Sequence, residues 1–438
     1  MIFGNDEARM TNAEGSSNDQ TAKQRAQRHR HSAFVISSSL DTRHSPLRSG
    51  LVGTDAELAE LLKKIDATDR VAIDIEADSL HSYREKLCLI QISVPAAVSV
   101  AGIVDAGREQ RESRTSRDHP PSQSYGGTSR SWPQVRDFIV DPLADVDLEP
   151  LRRALKPREI VLHGADYDLR MLRRGLNFIA HKIFDTLIAA RLLGIREFSL
   201  AALVKRYFGM ELPKGSQKAN WAKRPLPARM AEYAINDVHY LLPLAEELEA
   251  KLDHYERKDW LRQSCQRAIE QAAVARVRNQ GELWRVRGSG AIRGRAAAVL
   301  RALWQWRERE AETADRPPFH ILQNENLLNA AVSFASGSVP DYKHFSARRR
   351  QAFREAAQTA LAAPESEWPV LRRRFGARPT AETVRRTDEL LRRRDKSAVE
   401  LGLEPSFIAP RGTLEAIAAD CARAESLLVA WQRELLGI

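Results

Sequence analysis

Asp74 and Glu76 stand two apart in Val71-Ala72-Ile73-Asp74-Ile75-Glu76, a run whose apolar partners suit a strand. A strand sends residues i and i+2 to one face, so both carboxylates project together. Asp168 follows a second apolar run, Glu159-Ile160-Val161-Leu162-His163, at the start of a helical pattern. Tyr233 and Asp237 are four apart in a longer helical pattern, a spacing that stacks them on one helix face. Four carboxylates brought to one point repel unless cations lie between them, and hard oxygen donors suit Mg²⁺ or Mn²⁺. Each signal has a plainer alternative. Asp-x-Glu recurs on many strands, Asp168 could simply favour a helix N-terminus, and Tyr233 could be core. Asp185, before Thr186, reads as an N-cap, and His163, at a strand end, as a satisfied and partly buried side chain.

The elements that must position these residues follow from pattern. Folded sequence starts near Leu51, with a capped helix start at Thr54-Asp55-Ala56-Glu57-Leu58. Strands are predicted over Val71 to Glu76, Cys88 to Val94, Phe138 to Val140 and Ile160 to His163. Helices are predicted near Leu148, Tyr167, Thr186, Leu200 and Arg229. This alternation argues for a layered α/β domain with a mixed sheet over residues 49–255. Residues 1–48 read as a disordered basic tail, and 107–133, dense in Arg, Ser, Gly and Pro, as a disordered insertion.

A helical linker is expected over 256–285. Beyond Trp284 strand signals vanish and a weak repeat emerges. Trp304-Gln305-Trp306-Arg307 leads to Pro318-Phe319-His320-Ile321 and Leu327-Leu328; Leu391-Arg392-Arg393-Arg394 leads to Pro405-Ser406-Phe407-Ile408 and Leu414. Two small helical modules, 286–366 and 380–438, account for it. The Arg triplets at 348–350, 372–374 and 392–394 fit either solvated helix faces or phosphate contacts.

Composition narrows the class. With 68 Lys+Arg against 58 Asp+Glu, the net charge of +10 favours a polyanionic partner, weakly. Cys88, Cys265 and Cys421 lack paired spacing, which argues against a disulfide framework or a zinc site and fits a reducing cytoplasm. No apolar run reaches membrane-spanning length.

Taken in order, Asp74-Ile75-Glu76, His163-Gly164-Ala165-Asp166-Tyr167-Asp168-Leu169 and Tyr233-Ala234-Ile235-Asn236-Asp237 resemble the motif series of the DEDDy exonucleases. The wider context resembles the ribonuclease D family: Leu89-Ile90-Gln91-Ile92, Phe184-Asp185-Thr186, Asn220-Trp221, Arg224-Pro225-Leu226 and Asp237-Val238-His239-Tyr240. The helical modules resemble HRDC domains, the second divergently. The first motif departs from the family's Asp-Thr-Glu-Phe at Ile75 and Ala77, and Ala77-Asp78-Ser79-Leu80-His81-Ser82-Tyr83 resembles the eukaryotic exosome-associated relatives more.

The resemblance implies an RNase H-like fold and a 3′→5′ exoribonuclease that hydrolyses RNA with two divalent ions and releases 5′-mononucleotides. It assigns Asp74 as the ligand shared by both ions, Glu76 and Asp237 as completing one site, and Asp168 as serving the second. Tyr233 would orient the attacking water. The implied partners are RNA 3′ ends, tRNA precursors among them; a cytoplasmic enzyme is expected, with the oligomeric state open and a monomer favoured. A Werner-type DNA exonuclease keeps the same metal site. A catalytically silent RNA-binding protein would be expected to have lost a carboxylate, and all four are present.

Overall fold

A computed structural model of the chain describes residues 49–96, 134–213, 215–274, 279–369 and 379–438. The expected tail, the insertion at 107–133 and the triplet at 372–374 lie outside the described residues.

Six strands, β1 (Ser49–Val52), β2 (Arg70–Ala77), β3 (Leu87–Pro95), β4 (Val135–Val140), β5 (Glu159–Leu162) and β6 (Lys182–Asp185), form one sheet in the order β1-β4-β3-β2-β5-β6. β3 runs antiparallel to β2 and β4, while the β1–β4, β2–β5 and β5–β6 pairs are parallel. The sheet is mixed, as the alternation of elements predicted. β3 is buried along nearly its whole length, which explains why it reads as a continuous apolar run. The pattern missed β1 and β6, which are four residues each.

Among the described residues eight helices flank the sheet: α1 (Asp55–Asp66), α2 (Glu149–Leu155), α3 (Asp166–Leu176), α4 (Thr186–Leu192), α5 (Leu200–Phe208), α6 (Ala228–His239), α7 (Leu241–His254) and α8 (Lys258–Ala273). The start of α1 is a reciprocal cap. The Thr54 hydroxyl accepts from the Glu57 N–H, and the Glu57 carboxylate accepts from the Gly53 N–H. α8 lies in the segment expected to be a linker, but it does more than connect. Its Leu261, Cys265 and Ile269 share one face and join the core of the sheet domain.

The remaining described elements are helical. α9 (Gly294–Ala314), α10 (Pro318–Ile321), α11 (Asn324–Ala335) and α12 (Ala347–Ala362) enclose their own core around Trp306, Phe334, Phe345 and Phe353. α13 (Ala381–Leu401), α14 (Pro405–Ile408), α15 (Arg411–Ala419), α16 (Ala424–Leu427) and α17 (Ala430–Leu436) complete the chain. This last group has a small core of Leu390, Leu414, Ile417 and Leu436. Its opposite side, with Ala398, Leu403, Ile408 and Trp431, merges with the core of the sheet domain, and Trp431 stacks on Trp260 of α8 at 5.0 Å.

The described Arg triplets are ion-paired within their own modules. Arg348 and Arg349 meet Glu310, Arg350 meets Asp341, Arg392 and Arg393 meet Glu389, and Arg394 meets Asp395. Among the described residues no helix is long and apolar enough to cross a membrane.

Candidate active site

Three separate segments meet at the end of β2. Asp74 and Glu76 project from one face of β2, and Tyr233 and Asp237 from one face of α6, which packs across β2, β3 and β4. Carboxylate oxygens of Asp74, Glu76 and Asp237 lie within 4.8 Å of one another. Asp168, buried in the first turn of α3, stands outside that trio but close enough to raise both Asp74 and Glu76 electrostatically.

The placement of Asp168 has a local cause. β5 turns into α3 through Gly164, whose φ of +78° favours a residue without a Cβ. The buried Asp185 carboxylate then accepts from the Gly164 N–H at 3.0 Å and the Ala165 N–H at 2.8 Å. It also caps α4 through the N–H groups of Leu187 and Ile188. The cap read from sequence is therefore also a clasp that fixes two helix starts, and one of them carries Asp168. His163 holds the Thr186 hydroxyl at 2.9 Å and is structural, as expected.

Tyr233 is half-buried, with its ring 6.0 Å from that of Trp221. Its hydroxyl donates to Asp237 and is met by Gln217, a neighbour that sequence reasoning missed. Gln217 lies in an irregular loop with no pattern of its own. A second omission is the pair of part-buried Arg224 and buried Asp141. The guanidinium grips the carboxylate with contacts of 2.7 and 2.6 Å and donates to the carbonyls of Trp221 and Cys88. This ties the loop ahead of α6 to the end of β4. Arg224 belongs to the Arg224-Pro225-Leu226 motif, but nothing local pairs it with a residue so far away in sequence. Arg224→Met leaves Asp141 buried without its cation and should cost about 3–5 kcal/mol in urea unfolding. A loss below about 1 kcal/mol would reduce the pair to a surface-like contact.

Across the mouth, the β2–β3 loop meets two other segments. His81 reaches the Lys218 carbonyl at 3.1 Å, while Arg84 and Lys86 pair with Glu312 and Asp315 at the end of α9. The first helical module is thus docked on the loop that follows Glu76.

Burial pushes all four carboxyls upward, and repulsion within the cluster adds to it at Asp74 and Glu76. Glu76 rises to about 9, Asp168 to about 7 through burial and Asp185, Asp237 to about 6 through burial, and Asp74 well above its ordinary range. Raised carboxyls bind more protons folded than unfolded, so their contribution is complete below pH ~4 and is lost as pH rises through the folded values. The metal-free protein should therefore melt at progressively lower temperature from about pH 5 to 9, and saturating Mg²⁺ should flatten the decline. A metal-free melting temperature that rises over that window would contradict a repelling cluster.

Residues 51–110 and 128–253 match the family model described as 3'-5' exonuclease, and residues 296–334 match that of the HRDC domain. With the mixed sheet and its carboxylate cluster, the chain carries a 3′–5′ exonuclease domain of the DEDD class followed by an HRDC domain. Within that class it is similar to proteins named ribonuclease D and, among others, to an exosome complex component 10 from Mus musculus, 28% identical over 64% of this chain and 28% of the relative. The ribonuclease D from Desulfotalea psychrophila is 30% identical over 198 residues, 44% of this chain and 53% of the relative. That from Sphingobium indicum is 29% identical over 290 residues, 64% of this chain and 63% of the relative. The chain thus spans between about half and two-thirds of the length of these two ribonuclease D relatives. The crystal structure of Escherichia coli RNase D, described as an exoribonuclease involved in structured RNA processing, shares the fold. Its TM-score is 0.60 at 19% identity, over 89% of this chain and 97% of that one.

Proposed function

We propose that the chain is a 3′→5′ exoribonuclease that releases 5′-mononucleotides from RNA 3′ ends by divalent-ion-assisted hydrolysis. The observation that carries this reading is the approach of Asp74, Glu76 and Asp237 to within 4.8 Å inside the matched exonuclease domain. The donor set fits hard divalent cations: it is all carboxylate, crowded and partly buried, and ionised together it demands positive charge. In this reading Asp74 is shared between two ions of Mg²⁺ or Mn²⁺, Glu76 and Asp237 complete one site, and Asp168 serves the other. Bound there, the ions supply Lewis acidity and charge neutralisation at the scissile phosphate.

The contribution of the chain itself is positional. Burial and the neighbouring carboxylates push the Tyr233 phenol above its already high range, so it stays protonated. A protonated phenol is no general base. It can hold a water by its hydroxyl, with Asp237 and Gln217 setting its direction.

RNA as substrate, including tRNA precursors and other structured 3′ ends, is supported by the named relatives and the net charge of +10. The free cysteines Cys88, Cys265 and Cys421 suit the cytoplasm. We also read 380–438 as a second, divergent HRDC-like module. Supporting this, α9 and α13 are each 21 residues long, and each is followed by a four-residue helix opening on Pro.

Incubation with 3′- and 5′-labelled RNA, with and without EDTA and beside matched DNA, tests the reading. Mononucleotides should leave the 3′ label first, and EDTA should stop the reaction. Equal cleavage of DNA would turn the reading to a DNA exonuclease, since an RNA enzyme senses the 2′-hydroxyl. Binding without cleavage would leave an RNA-binding protein.

A further inference from the structure

A second group of buried polar atoms lies on the sheet face that carries the carboxylates. Gln91 and Ser93 of β3 have no exposed surface at 0% each. The register sets Gln91 directly opposite Asp74 on β2, and Ser93 opposite Asp137 on β4. Directly opposed residues share a face with Cβ atoms about 5 Å apart, so Gln91 and Asp74 are neighbours on the face that α6 covers. Both polar atoms of the Gln91 amide, Nε2 and Oε1, are shut from solvent without a hydrogen-bond partner, and so are the Ser93 hydroxyl and the Asp137 Oδ1 opposite it. A buried amide left in that state is costly, and an apolar side chain of the same length would escape the cost. Asp74, for its part, accepts from the Ile75 N–H, and a carboxylate offers about four lone-pair sites.

We propose that Gln91 is a positioning residue for Asp74: without a partner in the metal-free chain, its Nε2 would donate to the Asp74 carboxylate when divalent ions hold that carboxylate ionised. The inference rests on the divalent-ion reading above. A neighbour that orients a ligating carboxylate decides which of its lone pairs face the ion, and losing such a neighbour typically weakens metal affinity about 10–100-fold. It also gives Gln91, in the Leu89-Ile90-Gln91-Ile92 motif, a task that packing alone does not supply.

Gln91→Met keeps the length and deletes both polar atoms. Mn²⁺ would be titrated calorimetrically into metal-free wild type and variant, and thermal unfolding of the metal-free forms recorded alongside. Mn²⁺ binding should weaken at least about tenfold. The metal-free melting temperature should hold or rise, because orphaned polar atoms have left the core. Wild-type Mn²⁺ affinity overturns the proposal. So does weaker binding accompanied by a clear fall in metal-free melting temperature, the signature of a merely structural glutamine. Should the Met variant not fold, Gln91→Asn, an amide one methylene too short, should show the same loss of affinity, and wild-type affinity there overturns it. Asp74→Asn separates the two levels. If that variant still binds Mn²⁺ and cleaves RNA normally, the divalent-ion reading fails; if it is inactive while Gln91→Met is neutral, only the role of Gln91 fails.

Discussion

Asp74→Asn should abolish hydrolysis, by at least about 10²-fold, while RNA binding persists. The substitution is nearly isosteric, so the strand and the face it presents survive. What it removes is one negative charge from the centre of a cluster in which burial and repulsion by Asp168, Asp237 and Glu76 all act on the same carboxyl. In the proposed arrangement that carboxylate touches both ions, and an amide oxygen binds a hard divalent cation far less well. A second readout moves in the other direction. The metal-free variant should melt higher than wild type, because one repelling group has gone, a trade of stability against activity common at active sites. Turnover above roughly a tenth of wild type, with ions saturating, would remove Asp74 from the chemistry.

Tyr233→Phe tests the positioning role with a single atom. The ring keeps its place against Trp221, and only the hydroxyl that bridges Asp237 and Gln217 is lost. If the hydroxyl holds the attacking water, kcat should fall on the order of 10²-fold with little change in KM, since substrate binding does not use it. If the residue is core, kcat should hold and the melting temperature should drop slightly for the lost hydrogen bonds. Unchanged kcat at saturating Mg²⁺ returns Tyr233 to the core. The pH profile adds a control: a phenol this strongly held in its protonated form contributes no titration near neutrality, so the variant should keep the profile of wild type.

The helical end of the chain bears on how such variants are built. α13 to α17 share a core with α8 and the sheet domain, through Ala398, Leu403, Ile408 and the Trp260–Trp431 stack. Truncation near Gln280 would strip apolar surface from the catalytic domain, so point substitutions are the cleaner probe of its role.

Periodicity alone determined which carboxylates could act together locally. A period of two puts Asp74 and Glu76 on one face, and a spacing of four stacks Tyr233 on Asp237. The Asp185 cap, the mixed sheet and the helical modules were legible on similar grounds, because caps, strand patterns and repeats are written over a few consecutive residues. Tertiary structure decided the rest. That Asp237 comes within 4.8 Å of Asp74 depends on how α6 crosses the sheet, and nothing within either segment encodes that distance. Asp185 clasping Gly164, Arg224 gripping Asp141 and Gln91 facing Asp74 depend on strand order and register. Register is set by the whole buried face at once, since a slip of one residue would turn every side chain of a strand to the other side. Short-range chemistry is therefore readable in the chain, whereas the meeting of distant side chains is a property of the packed core that holds them.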